Sequence, residues 1–593
     1  MKNKTYPLYQ TETINNLNEL MDISAKKHGD GQALTFARKK EIISISYKKF
    51  QNEVKALGTI LLERCNNGDM DNHNAKYKDI CNNVNTDIRK MNNSDAINSN
   101  DESESSIEEI DVNAIGTQSK RIIALIGENS YEWILTYFAV VNSGNIILPL
   151  DKELPSQDIV NLLKHSGAVM FAYSDDYSDV AEYVRENADN IRDYVNLNQM
   201  EDIIRQGSQM AVDGNTVFED CKIDDDSVAA LLYTSGTTGN AKGVMLSHKN
   251  LACDAVAACQ HVGIFGSNML VLPLHHSFGF VAAVCSMLLK GSEIYINSSL
   301  KNVLSDLQKF QPANMFLVPL FVETFYKKVW ETAKKQGKDK LLKKMLGVSN
   351  TLLKIGIDAR RVLFKSVIHS FGGNLKLIVS GGAPLDPKYV EGFRELGINV
   401  LNGFGITECS PIVAVNRNEY NRDGSVGLVL PCCEVRISEP DEEGNGEIYV
   451  RGENVMLGYY RNEDATRDAF NDGWFNTGDI GYIDKDGFLF ISGRKKNLII
   501  LGNGKNVYPE EIENELLRFE YIKEAVVYEQ DGVIVAEIFL DIENETEGAG
   551  RLDNDVLQLN KVLPIYKNIG KIKIRDTEFP KTTTKKIKRE YKA

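Results

Sequence analysis

Residues 233–243 (YTSGTTGNAKG) place four Ser/Thr hydroxyls, three glycines and a lysine in one loop. Apolar runs flank it at 228–232 and 244–246. Glycines let a backbone curl until several N–H groups converge on one anion. The hydroxyls of Thr234, Ser235, Thr237 and Thr238 would donate further hydrogen bonds, and Lys242 adds charge. The composition is that of a phosphate cradle, with Gly236 and Gly239 supplying the bends. It is not a P-loop of the Walker type: Lys242 lacks a following Ser or Thr, and a strand-like run rather than a helix follows. The bland alternative is a flexible polar turn, and the density of donors over eleven residues argues against it.

Further motifs follow in order: LPLHHSFGF (272–280), SGGAPL (380–385), NGFGITE (402–408), NTGDI (476–480), GRKKN (493–497), NGKNVYPEEIE (503–513) and PKTTTKKIKR (580–589). Together with the loop they resemble the adenylate-forming, AMP-binding superfamily of acyl-CoA synthetases, peptide-synthetase adenylation domains and beetle luciferases. A long segment, 321–371, separates the third motif from the second, which resembles the long-chain fatty acyl-CoA synthetases in particular.

The resemblance implies a reaction and a set of roles. A fatty acid of medium to long chain would attack the α-phosphorus of ATP, pyrophosphate would leave, and the acyl group would pass to coenzyme A. Both partners are anions, so catalysis is positioning and charge neutralisation. Residues Ser235, Gly236, Thr237, Thr238, Gly239 and Lys242, with Thr234, would hold the β- and γ-phosphates. Glu408 would bind Mg2+, and Thr407 would touch the α-phosphate. Gly381, Gly382, Ala383 and Pro384 would form the adenine slot with Asn402, Gly403, Phe404 and Gly405. Asp479 would accept from the ribose hydroxyls beside Arg494. His276 matches the histidine near the acyl carboxylate, with His275 read as structural. Lys586 matches the lysine that reaches in from a mobile C-terminal domain, although Lys585 stands where the family carries Gly, which leaves Lys585 as the alternative. Lys496 matches the hinge. Two rivals remain: a ligase loading an acyl-carrier protein instead of coenzyme A, and a non-catalytic relative that binds a nucleotide or acyl-adenylate.

These residues need rigid elements beneath them. The run 122–126, a Ser130 cap, a helix to Val141, Gly144 and the run 146–150 read as a β-α-β unit. Strands at 269–273, 293–296 and 375–379 and a helix from about Phe280 repeat the pattern. A further helix is capped by Asp386, opened by Pro387 and closed by Gly397. From about Val426 to 493, short strands between Gly, Asp and Asn turns predict a small antiparallel β unit. Pro509 opens a helix and Asp531-Gly532 reads as a hairpin turn. The expected fold is α/β: doubly wound parallel sheets in a large N-terminal domain (1–493), plus the antiparallel unit, and a small α+β domain (494–593).

Residues 66–119 are rich in Asn, Asp, Ser and Glu, and predict a disordered insertion. Segment 321–371 is helical in pattern and basic, so it reads either as a solvated excursion or as a peripheral contact with an anionic membrane. A net charge of -15 argues against a general nucleic-acid binder. Nine cysteines match no metal or disulfide pattern, and no apolar run reaches membrane-spanning length. The start lacks a signal-peptide core, so a cytoplasmic protein is expected.

Overall fold

The computed structural model describes residues 6–39, 41–66, 120–234, 241–501, 505–519, 521–541, 545–581, 587 and 589. The predicted insertion, but for its first residue, lies outside these, as do Ser235, Gly236, Thr237, Thr238, Gly239, Lys585 and Lys586.

Two large sheets carry the molecule. In the seven-stranded sheet, Ile122–Ile126 lies between Ile146–Pro149 and Met170–Tyr173, all parallel. The helix between the first two strands is Tyr131–Asn142. Ser130 Oγ accepts from Trp133 N, and Gly144 follows at φ +72°. Each feature was legible because strand, cap, helix and glycine lie within one short stretch. Val228–Thr234 continues the sheet beside Ile146–Pro149, then turns back antiparallel as Lys242–Ser247. The two strands that flank the candidate phosphate loop therefore pair with each other, Thr234 with Lys242.

The fourteen-stranded sheet has a parallel centre of six strands: Gln32–Arg38, Ile294–Ile296, Asn268–Leu270, Asn314–Leu317, Leu377–Ser380 and Asn399–Gly405. The strand expected at 269–273 is shorter. Leu272 gives its carbonyl to Asn129 Nδ2 at 2.7 Å, and Pro273 has no N–H to continue a ladder.

The strands after Val426 are antiparallel, as the sequence suggested, and they continue the large sheet. Residues 399–402 pair in parallel with Leu377–Ser380, while Gly403, Phe404 and Gly405 pair antiparallel with Ile412–Val415. One strand thus serves two partners in succession, and the sheet runs on through Gly427–Val429 to Phe488–Arg494 and Trp474–Ile483.

Helices His248–His261 and Phe278–Cys285, the latter continuing as Ser286–Leu289, fill the space between the sheets. Tyr137 stacks on Phe280 with ring centroids 3.6 Å apart. The basic segment forms helices Pro319–Lys335, Asp339–Lys354, Arg360–Leu363 and Lys365–Ser370. It is less of an excursion than expected. Val322, Phe325, Val329, Phe364 and Phe371 join the core under the parallel strands, so the segment is a covering layer with a wet outer face.

The C-terminal part has its own core. Strands Ile522–Gln530, Val533–Leu540 and Lys571–Arg575 form a sheet covered by helices Pro509–Leu516 and Glu545–Val562. The hairpin turn is Asp531-Gly532, both at positive φ (+55° and +77°), as a two-residue turn requires.

Candidate active site

The described base of the phosphate-loop hairpin meets the NGFGITE motif through one aromatic residue. Lys242 Nζ lies 4.6 Å from the centre of the Tyr459 ring, and Tyr459 Oη donates to Glu408 Oε1 at 2.9 Å. Burial, then the neighbouring Glu408, raises the Tyr459 pKa, so the phenol stays a donor. Backbone bonds lock the same three segments. Tyr460 N donates to Gly243 O, Leu457 N to Met245 O and Met456 N to Glu408 O, all within 3.0 Å. Tyr459 was missed in the sequence. Its signal is the GYY run at 458–460, which has no period or motif of its own.

The glycines of the SGGAPL and NGFGITE motifs line one pocket. Gly381, Gly382, Gly403, Phe404 and Gly405 border it on one side and Phe278 on another. A Cβ on Gly405 would sit 2.1 Å from the Pro411 carbonyl oxygen, so a side chain there would push the turn apart. Gly382 adopts φ +87° and leads into the exposed residues Ala383 and Pro384. Asn402 is turned into the sheet, where its Nδ2 donates to Ser425 O at 3.3 Å.

The NTGDI turn is braced from below. Asn476 Oδ1 accepts from Gly478 N at 2.9 Å, and Thr477 Oγ1 donates to Ile448 O at 2.8 Å. Gly478, at φ +69°, then aims Asp479 inward, where its side chain is 4% exposed and Oδ1 takes the Arg494 Nε proton at 2.8 Å. Burial, then the neighbouring Cys433, Glu408, Asp254 and Asp479, pushes the Cys409 thiol up.

His276 stands in the segment that enters the helix at Phe278. Its ring centroid is 4.1 Å from that of His275, whose Nε2 lies 3.5 Å from Asp151 Oδ1. Burial, then His276, holds the His275 pKa well below the usual imidazole value. His276 is absent from the residues that border the glycine pocket. At the other boundary, Lys496 sits in the turn Lys495–Asn497. Burial, then the charges of Arg494 and Arg589, holds its ammonium below the usual lysine range.

Among the described residues no cluster of three or more His, Cys, Asp or Glu could hold a metal alone. Glu408, as a hard oxygen donor, would suit a magnesium ion and would supply it with one carboxylate ligand.

The residues at 112–460 match the family model described as AMP-binding enzyme. This chain belongs to the AMP-binding enzyme family. The match covers more than half of the protein and spans the hairpin loop, the glycine pocket, Glu408 and Tyr459. Among curated relatives, a long-chain-fatty-acid–CoA ligase of Mycobacterium bovis is 29% identical over 532 residues, 81% of this chain and 87% of that protein. A chloroplastic long-chain-fatty-acid–[acyl-carrier-protein] ligase of Arabidopsis thaliana is 26% identical, over 77% of this chain and 73% of its own. Among solved structures, an anthranilate CoA ligase with bound anthranoyl-AMP superposes at TM-score 0.72 and 20% identity, covering 98% of this chain and 96% of that one. That likeness carries the fold: large mixed sheets with a small C-terminal domain. No helix of the described residues is long and apolar enough to cross a membrane.

Proposed function

We propose that this AMP-binding enzyme joins a medium- to long-chain fatty acid to coenzyme A. A carboxylate oxygen attacks the α-phosphorus of ATP, the bond to the β-phosphate oxygen breaks, and pyrophosphate leaves. The thiolate of coenzyme A then attacks the acyl carbon, the bond to the phosphate oxygen breaks, and AMP leaves. One observation carries this reading. The glycine pocket is lined by helix His248–His261, by strands Asn314–Leu317 and Leu377–Ser380, and by Gly403–Gly405, the strand end that leads to Thr407 and Glu408. No charged side chain lines it, and burial pushes the one thiol there, Cys259, up to about 12. An unbranched hydrocarbon gains about 0.8 kcal/mol per buried methylene in such a slot, while its carboxylate stays at the polar mouth.

The roles follow the geometry and the motifs. Thr234 to Lys242 hold the leaving phosphates, Glu408 holds Mg2+, and Thr407 faces the α-phosphate. Gly381–Pro384 and Asn402–Gly405 flank the adenine, and Asp479 and Arg494 take the ribose. His276 stands near the carboxylate. A domain beginning at about residue 494 swings on Lys496 and delivers Lys586. Pyrophosphate–ATP exchange with acetate, octanoate, palmitate and arachidate tests the reading. Exchange that is faster with octanoate or palmitate than with acetate is expected; none with any acid would favour a nucleotide-binding relative without catalysis. Supplying coenzyme A and acyl-carrier protein side by side separates the acceptors, the Arabidopsis relative being the reason to run both.

The covering helices supply a place to work. Residues 319–371 hold twelve Lys and Arg against four Asp and Glu in a chain of net charge -15, and expose Leu341, Val348, Ile355, Ile357 and Val362. That pairing of cations with bare aliphatics suits an anionic lipid surface, where the substrate resides. Co-sedimentation with anionic vesicles at low salt, and not with neutral ones, is expected. Equal recovery in the supernatant with both would refute membrane contact.

A further inference from the structure

The apolar cavity does not end in the packed core. Its inner end is bordered by Val262, Ile264, Ser286 and Met287, and a second cleft lies immediately beyond. That cleft is polar, with Tyr9, Lys290, Ser292, Asn418 and Glu419 around it. Ile264 is the one residue common to both among the described residues. On the same measure the inner cavity holds about 80 Å³, less than the roughly 150 Å³ that admits a benzene, so its apolar walls must part to seat a long chain; the outer cleft holds about 440 Å³. An acyl chain that outgrows the first therefore meets Ile264 with ample room behind it.

The backbone on both sides of Ile264 is pinned. Asn418 takes Gly263 N on Oδ1 at 2.7 Å and donates Nδ2 to Gly263 O at 3.0 Å. Asn314 does the same for Phe265, accepting at 3.1 Å and donating at 2.6 Å. Two asparagine clamps thus bracket a single aliphatic side chain. The N-terminal segment adds a third restraint, since Tyr9 N donates to Gln260 O at 2.8 Å. A residue held this way keeps its place when a chain presses on it, whereas an unclamped loop would yield.

We propose that Ile264 is the chain-length stop of the acyl cavity: it closes the inner end and sets the longest acid the enzyme activates efficiently. This rests on reading the cavity as the acyl site. The ω-methyl of the longest good substrate lies against Ile264, and a longer chain must displace it into the polar cleft, where its last methylenes gain little burial. Removing the side chain opens the cavity into the cleft, and enlarging it shortens the cavity.

The test is pyrophosphate–ATP exchange over a series of saturated acids from hexanoate to arachidate with the full-length protein, Ile264→Ala and Ile264→Phe. The expected result is an opposite shift. The kcat/KM ratio of long to short acids rises about tenfold or more in Ile264→Ala and falls about tenfold or more in Ile264→Phe, the discrimination a methylene or two in an apolar pocket gives. A misfolded variant lowers every acid together and leaves the ratio unmoved. An unchanged ratio in either variant that melts as cooperatively as the unsubstituted protein overturns the stop. Absence of exchange with every acid in the unsubstituted protein overturns the acid-activating function itself, which separates the two failures.

Discussion

The large N-terminal body and the C-terminal unit cohere in different ways, and are joined in a third. Within the body, buried side chains from both large sheets form one continuous cluster, from Ile14 to Leu489. Within the C-terminal unit, a separate cluster runs from Ile499 to Ile569. No hydrophobic cluster of described residues includes buried side chains from both. Polar pairs connect them instead. Tyr508 Oη donates to Asp441 at 2.9 Å, Tyr566 Oη to Glu443 at 2.9 Å, and Arg518 Nε lies 3.8 Å from Asp386. Burial of apolar area holds each body rigid, while the joint rests on a few polar contacts: Tyr508–Asp441 is part-buried, and the Tyr566 and Arg518 pairs lie at the surface, where such pairs are worth about 1 kcal/mol or less apiece. Such a joint can reopen and re-form in another orientation without exposing a core.

The comparison gives a rule for substitutions. A group delivered by the C-terminal unit in one orientation should matter to one half-reaction, and a group fixed in the body should matter wherever its ligand is present. Lys586→Ala is expected to have the largest effect. It should lower adenylate formation by about a thousandfold or more while sparing thioester formation from supplied acyl-adenylate. Equal loss in both would break the distinction. Glu408→Ala, in the body, should slow Mg2+-dependent pyrophosphate exchange by about a hundredfold, read as exchange rate against Mg2+ concentration. Unchanged exchange would remove Glu408 from the metal site.

What could be read in the sequence follows the range over which each interaction acts. The Ser130 cap, Gly144 and the Asp531-Gly532 turn were legible because all their determinants lie within a few residues. The hairpin carrying the phosphate loop was readable as strand, loop, strand. The join at Gly403 was not, because pairing one strand parallel over 399–402 and antiparallel over Gly403–Gly405 leaves no local pattern. The Lys242–Tyr459–Glu408 contact is of the same kind: three segments far apart in sequence meet on one sheet edge. The inner face of the basic helices escaped notice because lysines dominate the composition while single aromatics such as Phe325 and Phe364 make the core contacts.

A pH dependence probes the C-terminal unit alone. Burial raises the Glu513 pKa to about 7 against the opposing charge of Arg589, with Val527 N donating to its Oε1 at 2.7 Å. The folded state therefore holds a proton that the unfolded chain has released at lower pH. This contribution is fully present below the unfolded carboxylate pKa and is lost as pH rises to about 7. The slope is about 1.4 kcal/mol per pH unit in that window. Glu513→Gln should flatten it. Urea titrations followed by a probe in the C-terminal unit from about pH 5 to 8 read the difference, and identical slopes in both proteins would dismiss Glu513 as the titrating group.

The smallest effect expected lies in the rigid body, and its size tests how rigid that body is. Tyr459→Phe keeps the ring beside Lys242 and deletes only the hydroxyl that donates to Glu408. The backbone bond from Met456 N to Glu408 O, at 2.8 Å, still holds that residue's main chain. One neutral donor to a carboxylate is worth about 1.5 kcal/mol, the low end for a charged acceptor, because Glu408 itself is half-buried. The Mg2+ concentration for half-maximal exchange should therefore rise about tenfold, with the fatty acid KM unmoved. A hundredfold rise would mean that the hydroxyl, and not the surrounding strands, orients the carboxylate. The body would then share the looseness of the joint, and the contrast between the two regions would fail at the residue where it matters most.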